Sequence, residues 1–116
     1  MKHGKKHREL GRKKDERNAL IKLLAVSLIR DERIETSEAK AKELRPFIEH
    51  LVTKARQDSL ASRRNVSSAL GSDVGVKKLF SEISPKYKGR AGGYTRIVKM
   101  PTRAGDRSRR AIIEFI

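Results

Sequence analysis

The sequence has no cysteine, so disulfides and thiolate metal sites are excluded, which fits a reducing compartment. It has no long apolar run. The most apolar stretch, Ala19 to Ile29, is interrupted by Lys22 and falls far short of the ~20 residues a membrane span needs. The N-terminus is basic, but the apolar run of about 7–15 residues that would make it a secretory signal does not follow. Catalytic patterns are missing as well. There is no carboxylate pair beside a histidine, no Ser-His-Asp set, no Gly-x-x-x-x-Gly-Lys phosphate loop and no zinc-ligand spacing. These absences argue against an enzyme, a cofactor, a small-molecule substrate and a membrane partner, and they point to a soluble, cytoplasmic chain. Aromatics are scarce: two Tyr, three Phe and no Trp. Where they fall is therefore informative.

Charge is what the sequence has in excess. Hydrophobic residues make up 36% of the 116 positions and charged ones 37%. That suits one compact domain with a thin core, marginally stable alone and self-repelling until a partner neutralises it. The formal charge is +15, with a pI of about 10.7. Its placement says more than its size. Residues 1–17 carry eight Lys/Arg against three acids, residues 18–85 twelve against nine, and residues 86–110 nine against one. This is a balanced body with two basic arms, and nucleic acid is the polyanion that fits them.

Residues 1–14 hold one isolated leucine, Leu10, and no periodicity, so they read as an extended basic tail that orders on its partner. His3 and His7 have i, i+4 spacing, but Gly4, Gly11 and the charge density favour a phosphate- or base-contacting tail over a metal site. Fully extended, fourteen residues reach ~45–50 Å. From Asp15 to Asp31, Ile21, Leu24 and Leu28 recur at helical spacing, with Leu20, Leu23 and Ile29 widening the stripe. Asp15 and Glu16 suit the positive end of that helix and Arg30 the negative end.

Residues 33–36 form a short extended bridge, and Ser37 caps a second helix running to about Gln57. Leu44, Phe47, Ile48, Leu51 and Ala55 make its apolar face. Pro46 means either a kink near Lys42 to Pro46 or a late start with Pro46 in the first turn, and the continuous apolar spacing from Leu44 to Leu51 favours the kink. His50 lies beside that face, and the glutamates mostly occupy a solvated one. Asp58 or Ser59 caps a third helix ended by Gly71, and Asp73 caps a fourth with Val76, Leu79, Phe80 and Ile83 as its core residues. Ser84-Pro85 stops it. Tyr94 to Met100 and Ala111 to Ile116 are strand-like and read as antiparallel partners. A basic connection with a turn at Gly105-Asp106 joins them.

Between the helical half and the strands lies Lys86-Tyr87-Lys88-Gly89-Arg90-Ala91-Gly92-Gly93-Tyr94-Thr95-Arg96-Ile97. Its basic side chains can meet phosphates, and its tyrosines offer flat faces either to bases or to the core. Gly92-Gly93 permits positive φ or close approach by another chain. The segment reads as an RNA-gripping turn. RNA is favoured over DNA because no helix-turn-helix, zinc finger or basic-zipper heptad is present. A nucleoid-type DNA-binding architectural protein is the alternative.

Ile34-Glu35-Thr36-Ser37, Lys40-Ala41-Lys42-Glu43-Leu44-Arg45, Arg90-Ala91-Gly92-Gly93-Tyr94-Thr95-Arg96-Ile97 and Arg103-Ala104-Gly105-Asp106, taken together and in order, resemble the bacterial large-subunit ribosomal protein 17 family. Met1-Lys2-His3 and Gly11-Arg12 are similar too, and Pro46 departs from the pattern. The resemblance covers essentially the whole chain. It implies a structural constituent of the large ribosomal subunit with no catalytic residues. The implied partners are 23S rRNA and neighbouring large-subunit proteins near the peptide exit side.

The expected architecture is α+β. About four helices pack on a small, mostly antiparallel sheet made of the C-terminal hairpin plus a short strand near 33–36. A tail over residues 1–14 precedes a single domain over 15–116. The expected rRNA-contacting residues fall in three groups. The tail and its junction supply Lys2, His3, Lys5, Lys6, His7, Arg8, Arg12, Lys13, Lys14 and Arg17. Thr36, Lys40 and Lys42 follow. The turn and hairpin supply Lys86, Tyr87, Lys88, Arg90, Gly92, Gly93, Tyr94, Arg96, Arg103, Arg107, Arg109 and Arg110.

Overall fold

A computed structural model of the protein describes residues 13–101 and 109–116. Lys2, His3, Lys5, Lys6, His7, Arg8 and Arg12, like Arg103, Arg107 and the Gly105-Asp106 turn, lie outside the described residues. The first helix, α1 (Lys14–Asp31), carries Asp15 and Glu16 in its first turn and Arg30 in its last, each complementing the helix dipole. Its buried stripe is Ile21, Ala25, Leu28 and Ile29. Leu24 is only partly buried, and Leu23 is 66% exposed, so the stripe is narrower than the leucines suggest. Glu32 ends the helix in the left-handed region (φ 63°), its N–H donating to the Leu28 carbonyl at 2.6 Å.

One residue later β1 (Arg33–Ser37) begins, and its last residue also caps α2 (Glu38–Ala55), the Ser37 hydroxyl accepting from Lys40 N–H at 3.3 Å. Helix α2 runs without interruption through Pro46, which sits in its interior rather than in its first turn. It buries Ala41, Leu44, Ile48, Leu51, Val52 and Ala55, with Phe47 half-buried at the margin. Helix α3 (Leu60–Leu70) is capped by Ser59 and closed by Gly71 at φ 68°. Asp58 does not cap it but pairs with Arg63 at 2.6 Å.

The fourth helix departs from expectation twice. Ser72, not Asp73, caps α4 (Asp73–Lys78), its hydroxyl accepting from Gly75 N–H. The helix does not stop at Ser84-Pro85. It widens into a π-helical turn over Leu79–Ile83 and then tightens into a 3₁₀ turn over Ser84–Tyr87. Ser84 N–H donates to the Leu79 carbonyl, five residues back. Pro85 has no N–H to continue an α-helical ladder, and the change of pitch lets Leu79, Phe80, Ile83 and Tyr87 all reach the core. Arg63 lies over the Phe80 ring at 4.7 Å, covering that end of the core.

Strands β2 (Thr95–Lys99) and β3 (Arg110–Phe115) pair antiparallel, and β1 pairs antiparallel with the other side of β3, giving the order β1-β3-β2. The last strand in sequence is thus the centre of the sheet. Register places Ile34, Ile113 and Ile97 in one row, and Arg33, Glu114 and Arg96 in the next. Side chains alternate across a strand, so the isoleucine row turns inward towards the helices and the charged row outward. Ala111 and Ile113 are fully buried there. Among the described residues, the structure is four α-helices packed on a three-stranded antiparallel sheet, as expected.

Candidate nucleic-acid interface

The turn from Lys88 to Gly93 joins the 3₁₀ turn to β2, and helix α2 shapes it. Arg45, Glu49 and Thr53 follow one another along that helix at helical spacing, beside its buried stripe, and Arg56 at its C-terminal cap continues the row. The Glu49 carboxylate accepts from Gly93 N–H at 3.2 Å, from Thr95 N–H at 3.2 Å and from the Thr95 hydroxyl at 2.7 Å. Arg45 approaches it at 3.5 Å. Partial burial alone would raise this carboxyl, but the Thr95 and Gly93 donors and the Arg45 guanidinium hold it below the ordinary carboxylate value.

Arg56 and the Tyr94 hydroxyl both donate to the Arg90 carbonyl, and Thr53 Oγ1 meets the Tyr94 hydroxyl at 3.1 Å. The Arg90 side chain folds back, its Nε donating to the Gly92 carbonyl at 3.2 Å. Gly89 and Gly93 take positive φ, 82° and 68°, as the reversal of the chain requires. Gly92 does not, and a Cβ there would meet nothing within 4 Å among the described residues. That position is open on its outer side.

The tyrosines do not offer their faces to bases. Tyr94 is fully buried and Tyr87 is 3% exposed, with their ring centroids 5.1 Å apart. Tyr87 donates to the Ile116 carbonyl at 2.8 Å, and burial pushes its phenol above the ordinary value. Both rings are the floor on which the turn sits, so of the two placements open to their flat faces it is the core that they take. Thr36 is buried too, and Arg17, though largely buried, lines the open groove between α1 and α2.

The remaining candidates divide by whether an acid meets them. Lys86 pairs with Glu32 at 3.2 Å, Lys42 with Glu38 at 2.9 Å, Arg96 with Glu114 at 2.9 Å, and Arg110 with Glu35 at the longer 3.9 Å. Lys13, Lys14, Lys88 and Arg90 are exposed, and none of them bonds a carboxylate among the described residues, whereas the exposed Arg109 lies close enough to Glu38 for its charge to help hold that carboxyl down. Lys40 is half-buried beside the α2 cap. Lys14 and Lys42 also rim an open groove of about 570 Å³ between α1 and α2, with Ile21 and Phe47 in its floor and Glu43 in its wall.

Glu49 and Arg56 were not recognised from sequence. The signal available was their stripe on α2, which a solvated helix face explains equally well. His50 is exposed on the same helix. Among the described residues, no three metal-ligating side chains group together, and no helix is long and apolar enough to cross a membrane.

Comparison with known proteins finds relatives along the whole chain. Residues 20–116 match the family model for ribosomal protein L17. The chain is 49% identical over 116 residues to the large ribosomal subunit protein bL17 of Fusobacterium nucleatum subsp. nucleatum, covering all of both chains. It is 50% identical over 117 residues to the protein of the same name from a Hydrogenobaculum species, covering all of this chain and 99% of the relative. A third, from Aliarcobacter butzleri, is 49% identical with full coverage of both.

Proposed function

The chain belongs to the ribosomal protein L17 family, and on that premise we propose that it is a structural constituent of the large ribosomal subunit that binds and stabilises folded 23S rRNA. It is a ribosomal protein and not an enzyme. Its place of work is then the cytoplasm, within the large subunit. Contact with neighbouring large-subunit proteins near the peptide exit side is part of the proposal and rests on the family resemblance.

One observation carries the RNA-binding reading: Lys88 and Arg90 are exposed on a rigidly held turn and meet no carboxylate among the described residues. Elsewhere in the folded body the acids take up much of the positive charge. Basic residues of the N-terminal tail, residues 1–14, supply the second contact, and the body over 15–116 positions both. Arginine and lysine release counterions from phosphates, so the binding needs no base-reading side chains.

The test is competition binding across a salt series. Affinity for 23S rRNA should fall log-linearly with salt, and folded rRNA should outcompete duplex DNA of equal charge. A flat salt dependence, or equal competition by duplex DNA, overturns the proposal. Co-sedimentation with the large subunit after a high-salt wash is the independent check.

A further inference from the structure

The turn holds a contradiction in charge: the group that shapes this basic surface is an acid. A carboxylate near bound phosphate repels it, so electrostatics alone makes Glu49 a liability. Resting on the reading of this turn as an RNA contact, we infer that Glu49 is a positioning residue that strengthens RNA binding. It holds the backbone of Gly93–Thr95 so that Lys88 and Arg90 are presented in the shape RNA engages.

Three features carry this. The carboxylate is committed to the backbone. Oε1 takes the Gly93 N–H, and Oε2 takes the N–H and hydroxyl of Thr95, so the nearby Lys88 and Arg90 cations are left without it. The carboxylate also lies beneath the turn, with only 21% of the Glu49 side chain exposed, so a phosphate on the outer side of the turn does not touch it. Finally, the turn is pinned at two points. Arg56 and Tyr94 fix the Arg90 carbonyl, Glu49 fixes the amides from Gly93 on, and only Ala91 and Gly92 lie between. A segment with glycine at 89, 92 and 93 has much conformational freedom to lose. Losing it during folding removes that cost from binding.

The two accounts of Glu49 predict opposite signs. In Glu49→Gln, lost repulsion would tighten binding to 23S rRNA. Lost positioning weakens it, and a turn that holds its shape about a tenth of the time binds about tenfold more weakly. The salt slope should not change, because the same number of phosphates is neutralised. Amide exchange at Gly93 and Thr95 should speed up. Thr95→Val, which removes only the hydroxyl donor, should give a smaller loss in the same direction. Binding is measured per folded molecule for each variant. A Lys88→Ala/Arg90→Ala double variant separates this inference from the reading beneath it. If the double variant binds like the parent, the turn is no RNA contact and the reading itself fails. If the double variant is weakened while folded Glu49→Gln or Thr95→Val binds as tightly as the parent or tighter, the positioning role alone is overturned.

Discussion

Glu32 and Glu49 both sit beside basic segments, and they act in opposite ways. Glu32 closes α1 in a left-handed conformation and pairs with Lys78 at 3.3 Å and Lys86 at 3.2 Å. Those lysines, Lys86 first, hold its carboxyl below the ordinary value. Glu49 is held down mainly by Thr95 and Gly93 donors working against burial. At Glu32 an acid consumes two cations to join α1 to α4 and the 3₁₀ turn. At Glu49 an acid consumes backbone donors and one cation of its own helix, Arg45, and leaves Lys88 and Arg90 of the turn available. Glu38 and Glu114 follow the first pattern, each meeting two basic side chains: Lys42 and Lys99, and Arg33 and Arg96. A basic protein must use part of its positive charge to fold. Which part remains for a polyanionic partner depends on what each acid bonds.

The largest expected effect tests the floor under the turn. Tyr94→Ala should destabilise the fold by about 3–5 kcal/mol in urea unfolding, as for other fully buried aromatics. A loss below about 1 kcal/mol would mean that the turn is not founded on the core. Next, Glu49→Gln should cost about 1–3 kcal/mol, because two backbone N–H groups and a hydroxyl lose an ionised acceptor. The pH dependence has a definite sign. The folded Glu49 pKa lies below its unfolded value, so its contribution is complete above the unfolded pKa and is lost as pH falls through the folded one. Parent and variant stability curves should therefore converge on acidification. Parallel curves would place the stabilisation elsewhere.

Third, the two neighbouring glycines should separate. Gly93→Ala should cost about 1–2 kcal/mol from its positive φ, since among the described residues an added Cβ would meet only an Arg90 nitrogen, at 3.8 Å. Gly92→Ala has neither strain nor collision and should leave the melting temperature unchanged. If it nevertheless weakens RNA binding, RNA approaches the turn closely there. The smallest effect is at Glu32. Its two ion pairs are exposed, so Glu32→Gln should change stability by less than about 1 kcal/mol, and added salt should erase the difference. Freeing Lys78 and Lys86 should also raise salt-sensitive RNA affinity slightly. A loss of affinity at Glu32 matching that at Glu49 would collapse the contrast between the two acids.

Much of the chain was legible because its signals are local. Hydrophobic spacing placed α1 and α2, the hydroxyls of Ser37 and Ser59 marked helix starts, and Gly71 marked an end. Each of these acts within a few residues of itself. Alternation and turn composition likewise made β2 and β3 antiparallel partners. The Ser72 cap was missed by a single position, since Ser and Asp are nearly equivalent there until the backbone selects one. The candidate site was legible in part. Its basic residues and glycines marked the turn as a candidate for nucleic-acid contact, but which of them an acid neutralises did not show.

The sequence by itself determined where the helices and strands lie, the charge excess and the family. The tertiary structure alone decided that β3 occupies the centre of the sheet, that both tyrosines face inward and that Leu23 faces out. It also decided that Glu49 reaches Thr95 across 46 residues of sequence. Periodicity and capping are set by neighbours along the chain. The bond from Glu49 to the turn exists only once α2 has packed beside β2, and no local pattern records that meeting.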